Sequence, residues 1–184
     1  MTTAETNNGS ITGKEEASCS SKFFDESTLE FGLTSGDLWS RPGFLVRRLH
    51  QIHCALFFEE CKEGGITPVQ FAILSVLARE PWLDQTTVGY EVGLDRTTAA
   101  DVIKRLEEKG LLNRRVNPLD RRSRQAAVTR KAQNIMAGLI ENVARSQRRL
   151  LQPLSSEDQK VFMSLVIKLI ESNNQYGRTT LSAF

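Results

Sequence analysis

The stretch TTVGYEVGLDRTTAADVIKRLEEKG, Thr86–Gly110, constrains the fold more than any other part of the chain. It contains two helical patterns with room between them only for a tight turn. Gly89 lies within the first pattern, where a small residue lets a second helix pack closely. Gly93 follows at the turn, where the backbone needs a residue free to take positive φ. Leu94 turns inward and Asp95 is placed to cap the second helix. Ala99, Val102, Ile103 and Leu106 recur at helical spacing and form its buried stripe. The opposite face carries Thr97, Asp101 and Lys104, with Arg96 and Thr98 at the exposed N-terminal turn. A recognition helix enters the DNA major groove N-terminus first. Short hydroxyls and an arginine there can read base edges or grip phosphates. Taken alone, the pattern equally describes two packed helices with a solvated polar face.

The residues that follow favour DNA. LLNRRVNPLDRRSRQAAVT, Leu111–Thr129, reads as two short strands around a basic loop, which is the layout of a wing. Leu112, Val116 and Ala127 are expected to pack inward, and Arg114 and Arg115 to point to opposite faces. The net charge of the chain is only +2. Yet Arg114, Arg115, Arg121, Arg122, Arg124, Arg130 and Lys131 face a single acid, Asp120, over this segment. Such clustering makes a local field that the near-neutral total hides. Asp120 and Arg122 are two apart, so the carboxylate can aim the guanidinium through a charge-assisted hydrogen bond. An arginine so aimed can enter the minor groove, where the negative potential is deep. Arg121 and Arg124 are candidates for phosphate contacts. The competing reading, a solvated loop whose Asp–Arg pair contributes at most ~1 kcal/mol, loses ground because the loop directly follows a helix-turn-helix.

Around this element the chain reads as helical. Residues 1–36 form a polar arm, interrupted only by KFF and LEF. A long first helix starts at Ser40 and Pro42 and ends at Gly64-Gly65. A second, capped by Thr67 with Pro68 in its first turn, buries Val69, Ile73, Val76 and Leu77 and stops at Pro81. Two more follow the hairpin. The first carries Ile135, Met136, Leu139, Ile140 and Val143. The second, capped at Ser155 and Asp158, carries Val161, Phe162, Leu165, Val166, Leu169 and Ile170. The expected class is mainly α with a small β-hairpin wing. Residues 67–129 form the winged helix-turn-helix, 37–66 and 130–176 a helical dimerisation region, and 177–184 a tail. The terminal helices are too apolar for a small monomer to hide, and a symmetric dimer would bury them.

No apolar run approaches the ~20 residues that a membrane span needs, and the N-terminus lacks a signal-peptide pattern. Cys19, Cys54 and Cys61 make no disulfide framework. A cytoplasmic protein is expected. No phosphate loop, nucleophile elbow or carboxylate pair suggests catalysis, so no catalytic residue, cofactor or metal is assigned.

The first helix offers a second candidate site. At ~100° per residue, Trp39, Val46, His50, His53 and Phe57 share a face. Two histidines at i, i+3 between aromatic walls suit a small carboxylate. Three other readings stay open. Each histidine could be a core or interface residue. A metal could join the histidines with Cys54 or Glu60 and a ligand from another element. A peroxide-sensing thiol could lie at Cys54 or Cys61, which are ~10 Å apart along the helix, too far for a disulfide.

GLDRTTAADVIKRLEEKGLLNRRVNPLDRRSRQAAVT resembles the MarR family of bacterial transcription regulators. The matching features are a recognition helix running into RLEEKGLLNR, the wing's Asp120-Arg121-Arg122, and a strand ending in VT before a long helix. The resemblance covers about residues 40–175 and implies a homodimer on a double-stranded DNA operator. It gives Arg122 the minor-groove role and Asp120 the orienting role. It also implies repression relieved by a small-molecule inducer, for which LWSRPGFLVRRLHQIH is similar to repressors of nicotinate catabolism that respond to a hydroxylated nicotinate. A winged helix that binds protein rather than DNA is the alternative, and would need no wing arginines.

Overall fold

The computed structural model describes residues 38 and 41–177. The arm over 1–36, Trp39, the Ser40 cap, Cys19 and the tail beyond residue 177 lie outside the described residues. The chain divides into two compact units, residues 1–48 and 49–184.

The described part of the first unit opens helix α1, Pro42–Cys61. Pro42 lacks an N–H that would be unpaired in a first turn anyway. The N–H groups of Phe44 and Leu45 return to the Arg41 carbonyl at 3.0 and 3.1 Å.

In the second unit α1 runs on to Cys61 and ends through a 3-10 turn, Lys62–Gly64, with Gly65 in the left-handed region at φ 60°. Helix α2, Pro68–Arg79, opens on a reciprocal cap. Thr67 Oγ1 accepts from the Gln70 N–H, and Gln70 Oε1 accepts from the Thr67 N–H, each at 3.2 Å. After α2 come β1 (Leu83–Asp84), α3 (Gln85–Glu91), α4 (Arg96–Glu108), β2 (Leu112–Val116), β3 (Arg124–Val128), α5 (Arg130–Leu151) and α6 (Ser156–Asn173). The core joins Phe57 and Cys61 of α1 to Ile73, Leu74 and Leu77 of α2, Val88 of α3, Ile103 and Leu106 of α4, Leu112 and Ala126 of the sheet, and Ala132 and Leu139 of α5.

The helix-turn-helix forms as its glycines require. Gly93 adopts φ 70°, and the Leu94 N–H reaches back to the Gly89 carbonyl at 2.8 Å. Gly89 is buried; a Cβ there would lie 3.1 Å from both the Ala99 Cβ and the Leu94 carbonyl oxygen. Asp84 caps α3 through Oδ1, which accepts from the Thr86 and Thr87 N–H groups at 2.9 and 3.1 Å. Its Oδ2 accepts from the Thr87 hydroxyl at 2.6 Å. Burial pushes the Asp84 carboxyl up, but these hydrogen bonds outweigh it and hold the group below the usual aspartate range. Asp84→Ala is therefore expected to lower stability in urea unfolding by about 1–2 kcal/mol. A depressed folded-state pKa stabilises above the unfolded value and is lost as pH falls through the folded one, so the two proteins should converge in acid. A gap independent of pH would show that the ionised cap is not the cause.

The sheet differs from expectation in two ways. It has three strands, in the order β1-β3-β2, all antiparallel. Two residues are too short for β1 to leave a periodic signal. The register sets Leu112 opposite Val128 and Asn113 opposite Ala127. Alternation therefore places Ala126, not Ala127, on the face of Leu112. Both alanines are buried, but Val116 is 46% exposed at the wing end, not inward as expected.

Helix α6 begins at the expected cap, with Ser155 Oγ accepting from the Asp158 N–H at 3.1 Å. None of its residues is buried in the single chain. Val161, Met163, Leu165 and Leu169 are 45–62% exposed, as is Ile140 of α5 at 65%. Among the described residues no helix is long and apolar enough to cross a membrane.

Candidate nucleic-acid interface

Asp95 starts α4, accepting from the Thr98 N–H at 3.0 Å and from the Thr98 hydroxyl at 2.8 Å. The Thr98 proton is thus committed to the cap, and Arg96 and Thr97 stand beside it, exposed. Asp101 and Lys104 are exposed one and two turns on, with Lys104 Nζ 3.9 Å from Glu108. The inner stripe holds as expected: Ala99, Ile103 and Leu106 are fully buried and Val102 half-buried.

The wing sorts the basic residues. Arg114 bonds Glu107 of α4 at 2.9 Å, so its charge is compensated. Lys131 donates to the Lys109 carbonyl at 2.8 Å. Arg115, on the other face as expected, lies over the Trp82 ring. Arg121, Arg122 and Arg124 are exposed, and among the described residues their guanidinium groups have no hydrogen-bond or ion-pair partner.

The loop itself is tied by its own backbone. Asn117 N–H donates to the Ser123 carbonyl at 3.0 Å and Ser123 N–H to the Asp120 carbonyl at 2.9 Å. Asn117 Oδ1 accepts from the Leu119 N–H at 2.9 Å. Asp120 Oδ1 accepts from the backbone N–H of Arg122 at 2.9 Å, not from its guanidinium as expected. A carboxylate two residues before an N–H closes an Asx turn more readily than it reaches a long flexible side chain. Asp120 therefore fixes where the Arg122 backbone sits and leaves the guanidinium open. Sequence reasoning missed the partner of Arg115, because nothing in the strand pattern marks Trp82.

On α1 the two histidines come together, with ring centroids 6.2 Å apart. His50 is exposed, its Nε2 3.6 Å from Cys54 Sγ. His53 is half-buried; burial, and then the charge of His50, hold its imidazole below the usual histidine value. Phe57 does not join them. It is 2% exposed and packs in the core, 6.0 Å from the Phe71 ring. Val46 is exposed.

The last turn of α1 has a different role. Glu60 receives Arg145 Nε at 2.5 Å and Arg149 Nη1 at 2.6 Å, and its carbonyl accepts from Asn142 Nδ2 at 2.6 Å. These arginines hold the Glu60 carboxyl below the usual range. Glu60 is therefore committed to arginines, and the described residues contain no group of three metal ligands. Cys61 is 1% exposed, and burial raises its thiol pKa, which opposes the thiolate that a sensing role needs.

The MarR family model matches residues 66–123, from the start of α2 into the wing loop. The transcriptional regulator HosA of Escherichia coli O111:H- is 29% identical over 127 residues, 69% of this chain and 93% of HosA. The crystal structure of the PcaV transcriptional regulator of Streptomyces coelicolor, solved with its natural ligand, is 38% identical. It superposes with a TM-score of 0.68 over 73% of this chain and 95% of PcaV. BpsR of Bordetella bronchiseptica, whose DNA binding is regulated by 6-hydroxynicotinic acid, is 22% identical with a TM-score of 0.68 over 72% of this chain and 95% of its own. A capped helix-turn-helix, a three-stranded sheet and these likenesses agree: the chain belongs to the MarR family of winged helix-turn-helix transcription regulators.

Proposed function

We propose that the protein is a homodimeric repressor that releases a near-palindromic operator when a small aromatic carboxylate binds. The observation that carries the DNA contact is the set of guanidinium groups of Arg121, Arg122 and Arg124, unpaired among the described residues, on a loop fixed by Asp120. In this reading Arg96, Thr97, Thr98, Asp101 and Lys104 of α4 meet the major groove and Arg122 the minor groove. A protein-binding wing would not need three uncompensated arginines. The dimer would use residues 37–66 and 130–176, and the exposed apolar residues of α5 and α6 support it. Residues 67–129 would act as the DNA-binding domain.

The effector would bind beside His50 and His53, with a hydroxylated pyridine carboxylate as the first compound to test. BpsR suggests that ligand, and its likeness is one of fold; the paired imidazoles supply the chemical reason. An imidazolium can pair with the carboxylate, and a half-buried one gains more from pairing than an exposed one. Release would follow if the ligand binds more tightly to the dimer whose α4 helices are spaced wrongly for DNA.

The test combines salt and mutation. Affinity for a duplex selected from a random pool should fall steeply with salt, and Arg122→Ala should weaken selected and unselected duplexes by about tenfold. His50→Ala and His53→Ala should blunt release by 6-hydroxynicotinic acid without changing DNA affinity. Affinity indifferent to salt and to Arg122 would overturn the DNA contact; full release in both histidine variants would move the effector site elsewhere.

A further inference from the structure

Among the described residues, Trp82 is the only non-glycine residue with positive φ, at 68°. This region suits glycine, and a bulky aromatic residue is an outlier there. The conformation is held by the sheet. The Trp82 N–H donates to the Ala126 carbonyl at 2.8 Å, one residue before β1 pairs with β3. The indole then lies against the guanidinium of Arg115, whose Cζ is 4.0 Å from the ring centroid. Arg115 stands on β2 opposite Gln125 of β3, and its Nε donates to Gln125 Oε1 at 2.9 Å.

Two constraints thus act on one guanidinium. The indole holds the Cζ over its face, and the Nε–H bond to Gln125 turns the Nε side of the group toward β3. The terminal amino groups take no part in the Gln125 bond, and among the described residues no carboxylate pairs with them. Arg114, the next residue on the other face, is the contrast, since Glu107 neutralises it. Arg115 is exposed, lies one residue before the wing end of β2, and keeps its full charge. A planar guanidinium with its outer edge free fits a phosphate through two parallel N–H bonds.

We propose that Arg115 is a phosphate-binding residue at the base of the wing and that Trp82 is its positioning residue. The proposal rests on the reading of the wing as a DNA contact. It adds an anchor that reads backbone rather than sequence and is oriented before DNA arrives.

The full-length protein is titrated with a self-selected duplex and with an unselected duplex of the same length, across a range of salt. Arg115→Ala should weaken both by about tenfold and reduce the magnitude of the salt slope by about 0.9. Trp82→Leu should lower affinity severalfold when Arg115 is present and have no further effect in the Arg115→Ala background. Trp82→Phe, which keeps an aromatic face, should restore most of the loss. Circular dichroism at the titration temperature confirms that each variant is folded. An unchanged salt slope in Arg115→Ala overturns the phosphate contact. Equal effects of Trp82→Leu in both backgrounds reduce the stack to sheet stability and overturn the positioning role. Arg122→Ala separates the two levels: if it weakens binding and Arg115→Ala does not, the wing reading stands and this proposal falls. If the wild type shows no salt-dependent binding, both fall.

Discussion

Gly89→Val should unfold at markedly lower denaturant than the wild type and bind no operator. The first added carbon would lie 3.1 Å from the Ala99 Cβ and 3.1 Å from the Leu94 carbonyl oxygen. Neither neighbour can swing aside, because one is a bare methyl on α4 and the other is backbone in the turn. The two γ-carbons of valine would then have to push α4 away from α3. Overpacking of this kind costs about 1–3 kcal/mol, and displacing α4 also strains the Leu94–Gly89 hydrogen bond. Gly138→Ala is the control. A Cβ on that exposed residue of α5 would meet nothing within 4 Å. It should leave both stability and DNA binding in place. A Gly89→Val protein as stable as the wild type would show that α4 can shift freely, contrary to the packing described here.

A chain ended at Leu154 is expected to be monomeric in sedimentation yet keep its fold. Helix α6 contributes no buried residue to the single chain, while the core draws on α1 to α5 and the sheet. Removing α6 should therefore cost the subunit little and the assembly nearly everything. Two half-sites on one duplex act through their linkage, so a monomer should bind about a hundredfold more weakly or worse. A truncated chain that remained dimeric at the same operator affinity would remove α6 from the interface.

The helix-turn-helix was legible because each of its requirements leaves a residue signature. Gly89 and Gly93 answer to packing and to φ, Asp95 to the cap, and Ala99, Ile103 and Leu106 to helical spacing. The hairpin was legible for the same reason, as two strands around a turn-rich loop. Strand β1 was not, since its two residues are fixed by pairing with β3, a partner some forty positions away. Ala127 is buried as expected, but its place opposite Asn113 was not legible, because a register depends on both strands and one strand's alternation cannot supply it. Phe57 was misassigned because one face of α1 passes gradually from solvent at His50 to the core at Cys61. Helical periodicity reports direction around an axis and not depth along it. The role of Asp120 was read as a side-chain contact, whereas the shorter reach to a backbone N–H prevailed.

The grip of α5 on Glu60 limits how α1 can move. Asn142, Arg145 and Arg149 span two turns of α5 and converge on one residue of α1. Sliding one helix past the other by a turn, ~5.4 Å, would break all three attachments, while a small rotation about Glu60 would break none. Glu60 is a fulcrum. Displacement at His50, nearly three turns up α1, would then reach α5 as a change of angle between the two helices and not as a slide along them.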